Sequence, residues 1–437
     1  MKKIKRRSMA VILLVCLTVL GMGVFLKKYA EDGSDWALYF YRSNAGITGT
    51  VTDRNGETLA TFSPSGNSYA DDRAVRMSCF QVLGDFEGRT GSGILTTFFN
   101  GMKDYDFVNG TTGAEDYDMR VTLDSAVSAA ALRAIGTSRK GCVIVSNYKT
   151  GEILCMVSMP TIDPSETGVE PEDGAFLNKC IDATFVPGSV FKLVTCAAAI
   201  ESVPDIFEKE FFCEKTTTVS GVEINCVDPH WTQNFTQALS NSCNCAFARI
   251  SIMAGQESLK VHVSDYGFTV CHTVSGLKTA AGTFETEYMG DPELAWAGIG
   301  QWTDSICPFS LLRYVAAIAN DGVCAEPFLI YTEEAAEETQ LVNPDTAAKL
   351  KEMMSYTVTE HYGKDTFSGL NVCAKTGTAE VGDGTNHAWI AGFIDDDSTP
   401  YAFVVLIEGV EDGQYGLGTA GPVADLVLQA AVENKEA

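Results

Sequence analysis

Residues 185–202 read FVPGSVFKLVTCAAAIES. Pro187-Gly188 breaks the preceding chain, and the run from Ser189 is apolar on every side, the pattern of a helix buried in a core and not lying on its surface. On that helix Ser189 and Lys192 stand at i and i+3, where side chains share one face. A buried helix that opens with a hydroxyl and carries an amine one turn later sets a nucleophile beside a group that desolvation turns into a base. The competing reading makes Ser189 a helix cap and lets Lys192 extend its stem to water. Within this stretch alone both readings stand.

The surrounding chain separates them. Ser-x-x-Lys occurs twice more, at Ser146-Lys149 and Ser275-Lys278, but the first lies in a turn between two strands and the second is interrupted by Gly276. Residues 239–247 (LSNSCNCAF) hold a strict Ser-x-Asn at Ser242 and Asn244, 53 residues after Ser189. Lys375-Thr376-Gly377-Thr378 follows 186 residues after Ser189, on a strand-like run. A second Lys-Thr-Gly, at Lys149, falls in the early turn and reads as a decoy. Ser-x-x-Lys, Ser-x-Asn and Lys-Thr-Gly together mark penicillin-binding proteins and serine β-lactamases.

The chain resembles the class B penicillin-binding proteins, membrane-anchored peptidoglycan DD-transpeptidases, over nearly all of its length beyond the N-terminal helix. Residues 50–56 (TVTDRNG) look like the family's opening motif, 149–154 (KTGEIL) like its first hairpin, and 297–301 (AGIGQ) like the loop before a helix. His387-Ala388-Trp389 also fits, whereas Thr48 stands where the family usually has arginine and Trp302 where glycine is common.

The resemblance implies acyl transfer. Ser189 would attack a D-Ala-D-Ala carbonyl with Lys192 as proton acceptor, and Ser242 would pass a proton to the departing D-Ala. Lys375 would polarise Ser242 and attract the substrate carboxylate, to which Thr376 and Thr378 offer hydroxyls. Asn244 would orient Lys192 and bind the acyl side-chain amide. The backbone N–H groups of Ser189 and Thr378 would form the oxyanion hole, and Gly377 would let the substrate backbone lie against the strand. β-Lactams would acylate Ser189. The resemblance also implies a SEDS-family glycosyltransferase as membrane partner.

Composition places this chemistry. Of 437 residues, 46% are hydrophobic, enough for two or three domains with substantial cores. There are 31 Lys plus Arg against 57 Asp plus Glu, a formal charge of −26, which argues against a nucleic-acid binder. Seven basic residues and no acid occupy positions 1–28; without them 24 basic residues face all 57 acids, a formal −33. Between the basic clusters, residues 8–26 (SMAVILLVCLTVLGMGVFL) are 19 residues without a charge. At about 1.5 Å rise per residue they nearly span the roughly 30 Å hydrocarbon layer. No small-residue cleavage pattern follows Leu26, so the run reads as an uncleaved anchor, with residues 1–7 cytoplasmic and the acidic bulk outside.

Residues 27–46 read as a juxtamembrane linker and 47–120 as a small irregular pedestal, opening with a hairpin around Asn55-Gly56. Asn100-Gly101 and Asn109-Gly110 are further turn signals, with a boundary near Tyr117. Residues 121–437 read as an α+β transpeptidase domain. Strands over 141–158, 370–381, 387–394 and 401–408 build an antiparallel sheet, flanked by helices over 124–135, 189–202, 236–254, 308–320, 345–361 and 422–435. Pro422 is expected in the first turn of the last helix.

The 14 cysteines are too few for a disulfide scaffold. Cys142, Cys155, Cys196 and Cys373 lie in apolar runs as core residues. Cys213 and Cys226 flank a hairpin and are compatible with a disulfide. They group with His230, Cys243 and Cys245 as conceivable zinc ligands, but without a Cys-x-x-Cys pair no metal and no cofactor are expected. The rival readings are a β-lactam-hydrolysing serine enzyme, which needs neither anchor nor pedestal, and a non-catalytic β-lactam sensor or scaffold. A sensor would need more than seven residues before the membrane span.

Overall fold

The computed structural model describes residues 2–31, 49–62, 67–84, 89–98, 103–106, 110–113 and 118–435, apart from single positions 167, 286, 288, 383 and 412. Thr48, most of the 27–46 linker, Asn100-Gly101, Asn109 and Tyr117 lie outside the described residues.

The centre is a five-stranded, wholly antiparallel sheet in the order Val372–Glu380, Asn386–Ile394, Tyr401–Val410, Lys140–Asn147, Ile153–Met159. Side chains alternate between its faces. Cys142, Ile144, Cys373, Trp389, Phe393 and Val404 join the core of the helical insertion. Val143, Val145, Val372, Ile390, Phe403 and Val405 pack with helices Ser125–Ile135 and Gly416–Glu433. Each fully buried side chain of this size contributes about 1.5–3 kcal/mol, so one strand apolar at nearly every position holds helices on two sides. Val372–Glu380 is an edge strand, and as neighbours along it Lys375 and Thr376 point to opposite faces.

The helical insertion departs from the expected pattern at three places. The Ser189 helix begins as a 3₁₀ turn, Gly188–Phe191, before the α-helix Lys192–Ser202. The expected helix over 236–254 is two, Phe235–Ser240 and Asn244–Ala254. Ser242 between them has φ +52°, a left-handed conformation that ends one helix, and Cys243 caps the next. Pro344–Thr357 continues into a wide turn, Val358–Tyr362.

The last helix starts earlier than its proline suggests. It runs Gly416–Glu433 with Pro422 inside it, not in its first turn. A Cβ on Gly416 would lie 2.5 Å from the Trp389 carbonyl oxygen and 2.7 Å from that of Gly377, so only glycine lets the helix start so close to the sheet.

In the N-terminal part, Gly49–Thr52 pairs antiparallel with Thr58–Phe62 and parallel with Met119–Arg120. The buried Asp53 carboxylate explains residues 50–56. It accepts the N–H groups of Asn55 (2.8 Å) and Glu57 (2.9 Å) and the N–H and hydroxyl of Ser125 (3.1 and 2.7 Å). One side chain thus shapes the turn and ties it to the helix that Asp124 caps. Helix Arg73–Leu83 docks through Arg76 and Arg73, which both donate to Asp163. Lys2–Glu31 is one helix, and its Lys5–Lys28 portion is long and apolar enough to cross a membrane.

Candidate active site

Ser189, Lys192, Ser242, Asn244 and Lys375 converge from three separate stretches. Lys192 Nζ donates to Ser189 Oγ (3.0 Å), Ser242 O (2.6 Å), Ser242 Oγ (3.2 Å) and Asn244 Oδ1 (2.7 Å). Lys375 Nζ reaches the same Ser242 Oγ at 3.0 Å and the Thr376 carbonyl at 2.7 Å. Lys192 is wholly buried and lies 5.4 Å from the Phe247 ring centre, so the reading in which its stem runs out to water is excluded. Burial brings its pKa down to about 8. Lys375 is also wholly buried, and burial followed by the Lys192 charge holds it well below the ordinary lysine range.

The backbone around Ser189 is held from two sides. Gly188 has φ +56°, and a Cβ there would lie 2.4 Å from Thr378 O, so the turn presses its backbone onto the edge strand beside Thr378. From the other side Gly188 N–H donates to Gly300 O (2.8 Å), and Thr195 Oγ1 donates to Gly298 O (2.7 Å). Trp389 Nε1 donates to Val186 O at 3.0 Å and pins the chain just before the turn. The sequence blocks 297–301 and 387–389 thus both serve to seat Ser189.

Gly377 is also required by a close approach of backbones. A Cβ there would meet Pro187 O at 2.9 Å and Val190 N at 3.0 Å, so the glycine admits the nucleophile turn. Thr376 and Thr378 lie on the face opposite Lys375. Thr376 N–H donates to Tyr362 Oη (2.7 Å), its hydroxyl lies 2.9 Å from the same oxygen, and the Gly416 N–H points at Thr378 Oγ1 (3.4 Å). Tyr362, whose phenol burial pushes up to about 12, carried no signal in the sequence because it closes an irregular turn.

The other motif copies stay apart from this centre. Ser146 and Lys149 sit at the hairpin between Lys140–Asn147 and Ile153–Met159, and Lys149 Nζ lies 3.7 Å from Asp397. Ser275 and Lys278 belong to a short hairpin, where the Ser275 hydroxyl accepts the N–H groups of Leu329 and Ile330.

The disulfide reading for Cys213 and Cys226 needs correction. The described cysteines are free thiols, and Cys213 stands beside His230 (3.6 Å, Sγ to Nδ1) while Cys226 stands beside Cys243 (3.6 Å, Sγ to Sγ). All four donor atoms lie within 4.8 Å of one another, although no metal was expected here. The sequence already grouped these residues and set them aside for want of a close cysteine pair; four short elements bring them together.

Residues 141–429 match the penicillin-binding protein transpeptidase domain. The chain belongs to the class B penicillin-binding protein family. That makes it an enzyme of the peptidoglycan D,D-transpeptidase class. It is similar to the peptidoglycan D,D-transpeptidase PbpA of Mycolicibacterium smegmatis, at 28% identity over 67% of this chain and 67% of that protein. It is also similar to stage V sporulation protein D of Bacillus subtilis, at 27% identity over 79% of this chain but 58% of that protein. The fold superimposes on penicillin-binding protein A of Mycobacterium tuberculosis, solved as a ceftriaxone acyl-enzyme, with TM-score 0.76 and 22% identity over 90% of this chain and all of that one.

Proposed function

We propose that this class B penicillin-binding protein cross-links peptidoglycan stem peptides through an acyl-enzyme on Ser189, and that β-lactams acylate the same residue. One observation carries the reading: a buried lysine amine touches the Ser189, Ser242 and Asn244 side chains at once, with a second buried amine on Ser242.

Lys192, neutral above about pH 8, takes the Ser189 proton as Oγ attacks the penultimate D-Ala carbonyl. The developing oxyanion is received by the backbone N–H groups of Ser189 and Thr378, which the Gly188 contact draws together. Ser242, between the two amines, delivers a proton to the departing D-Ala nitrogen. Lys375 supplies positive potential for the terminal carboxylate, bound with Thr376 and Thr378 at the strand edge. Asn244 orients Lys192 and meets the amide of the acyl chain. An amine of a second stem peptide then attacks the ester, and the proton path reverses.

The Lys2–Glu31 helix anchors the domain with its N-terminus in the cytoplasm and residues from about 27 onward outside, supported by the basic residues on both sides of the apolar run. Residues 47–120 form a pedestal that offers a docking surface to a SEDS-family glycosyltransferase, as the family resemblance implies.

Fluorescent penicillin labelling of membranes carrying the wild-type chain or Ser189→Ala tests the proposal. A covalent band is expected for wild type alone. A band persisting on Ser189→Ala would overturn the nucleophile, and rapid loss of the wild-type label would instead make the enzyme a β-lactamase.

A further inference from the structure

We propose that Cys213, Cys226, His230 and Cys243 bind one structural zinc ion, and that this ion holds the Ser242-Cys243-Asn244 segment in place. The pattern is C-x12-C-x3-H-x12-C, without a close cysteine pair. Cys213 ends strand Glu210–Cys213, and Cys226 follows strand Val222–Asn225. His230 precedes strand Trp231–Asn234, and Cys243 caps helix Asn244–Ala254.

The geometry is that of a tetrahedral soft-metal site. With Zn–S near 2.3 Å and Zn–N near 2.1 Å, the edges of the ligand tetrahedron are about 3.6–3.8 Å. The Cys226–Cys243 and Cys213–His230 pairs both stand at 3.6 Å, and no donor lies more than 4.8 Å from another. Small shifts therefore close all four onto one ion. The three thiols are buried and His230 half-buried, as expected of a closed site. His230 also borders a surface cavity of about 270 Å³, which gives an ion a way in.

The surroundings favour thiolates. Cys245 N–H donates to Cys226 Sγ and Ala246 N–H to Cys243 Sγ, both at 3.4 Å and both from the first turn of one helix. Zinc with three thiolates and a neutral imidazole leaves a single net negative charge, and binding releases the thiol protons to solvent. Cys245 stays outside the set, with its thiol on Ile224 O.

A reason to bind metal lies in the segment itself. Residues 210–234 form two two-stranded ribbons, each strand of four residues, which bury Phe211, Val219 and Ile224 besides the two cysteines. Two-stranded ribbons are marginal by themselves, and an ion on Cys213, Cys226 and His230 would pin both of them to the helix that Cys243 caps. The ribbons also touch the catalytic centre, because Asn225 O accepts Asn244 Nδ2 at 2.8 Å, beside the Asn244 Oδ1 that receives Lys192. Cys243 is the residue between Ser242 and Asn244. The ion would fix the one loop whose left-handed Ser242 turns its hydroxyl to both lysines, and this coupling rests on the proposed acyl-transfer function.

The test uses the full chain in mild detergent, purified under reducing conditions. Elemental analysis is expected to give about one zinc per chain. Cobalt exchange should give tetrahedral ligand-field bands with thiolate charge transfer. Cys213→Ser and Cys226→Ser should lose the metal, while Cys245→Ser keeps it. His230→Cys should keep zinc with stronger cobalt charge transfer, which keeps the proposal testable if the serine variants fail to fold. Zinc well below one per chain together with a Cys226–Cys243 disulfide by mass spectrometry would overturn the site, as would full zinc in Cys226→Ser.

Removing zinc with a chelator should slow penicillin labelling about tenfold or more, the scale on which small misplacements of catalytic groups act. Unchanged labelling after zinc loss would overturn the coupling and leave the metal site standing. Absence of labelling in zinc-loaded protein would instead count against the acyl-transfer reading, since metal content is measured independently of it.

Discussion

Lys192 is the residue on which the chemistry turns, and its burial makes a sharp prediction. The amine is neutral only above a pKa near 8, so the rate of acylation by a β-lactam should rise with pH up to about 8 and then level off. Stopped-flow acylation between about pH 6 and 9 measures this, and a flat profile would remove Lys192 as the base. Ser189, Lys192 and Lys375 were readable because a rare triplet of motifs named them. Tyr362, which meets Thr376 through both its N–H and its hydroxyl, was not readable. A tyrosine ending an irregular turn looks like any other until the strand it meets is in view.

At the scale of elements, the nucleophile turn is held by glycines that let backbones approach. Gly300 has φ +85°, and a Cβ on it would lie 2.0 Å from Gly188 O. Gly300→Ala therefore combines left-handed strain of about 1–2 kcal/mol with a displaced Ser189 turn, and acylation should fall at least about tenfold. Gly136→Ala is the control: its φ is +77° but nothing lies within 4 Å, so it should lose stability and keep its acylation rate. Equal acylation by the two variants would show that the Gly300 contact does not position Ser189. The strands were legible from apolar runs punctuated by turn residues. The break at Ser242 was only hinted at by Ser240, Asn241 and Ser242, residues that favour caps and turns, because the stretches on both sides continue a helical pattern.

For the molecule as a whole, the N-terminal part is fastened to the catalytic domain by helix Arg73–Leu83. Asp163, almost fully buried, accepts from Arg76 Nε (2.6 Å), Arg76 Nη2 (2.7 Å) and Arg73 Nε (3.1 Å). The Arg76 hydrogen bonds hold its carboxyl below the usual carboxylate range. A lowered folded pKa gives stability that is present above the ordinary carboxylate pKa and lost as pH falls through the folded one. Asp163→Asn should thus cost about 2 kcal/mol at neutral pH, with the difference from wild type shrinking in acid. Urea unfolding at two pH values measures it, and a loss that grew on acidification would contradict the assignment.

Sequence alone determined the reaction class, the strand that carries Lys375, the apolar N-terminal run and the sheet that closes across the helical insertion. Those features rest on local signals: a residue triplet, a period of two, an uncharged stretch of fixed length. Only the tertiary structure decided why Gly377 is glycine, that Tyr362 meets Thr376, and that Cys213, Cys226, His230 and Cys243 meet. Each depends on separate elements of the chain arriving within a few ångströms of one another, and no local pattern records a distance that packing sets.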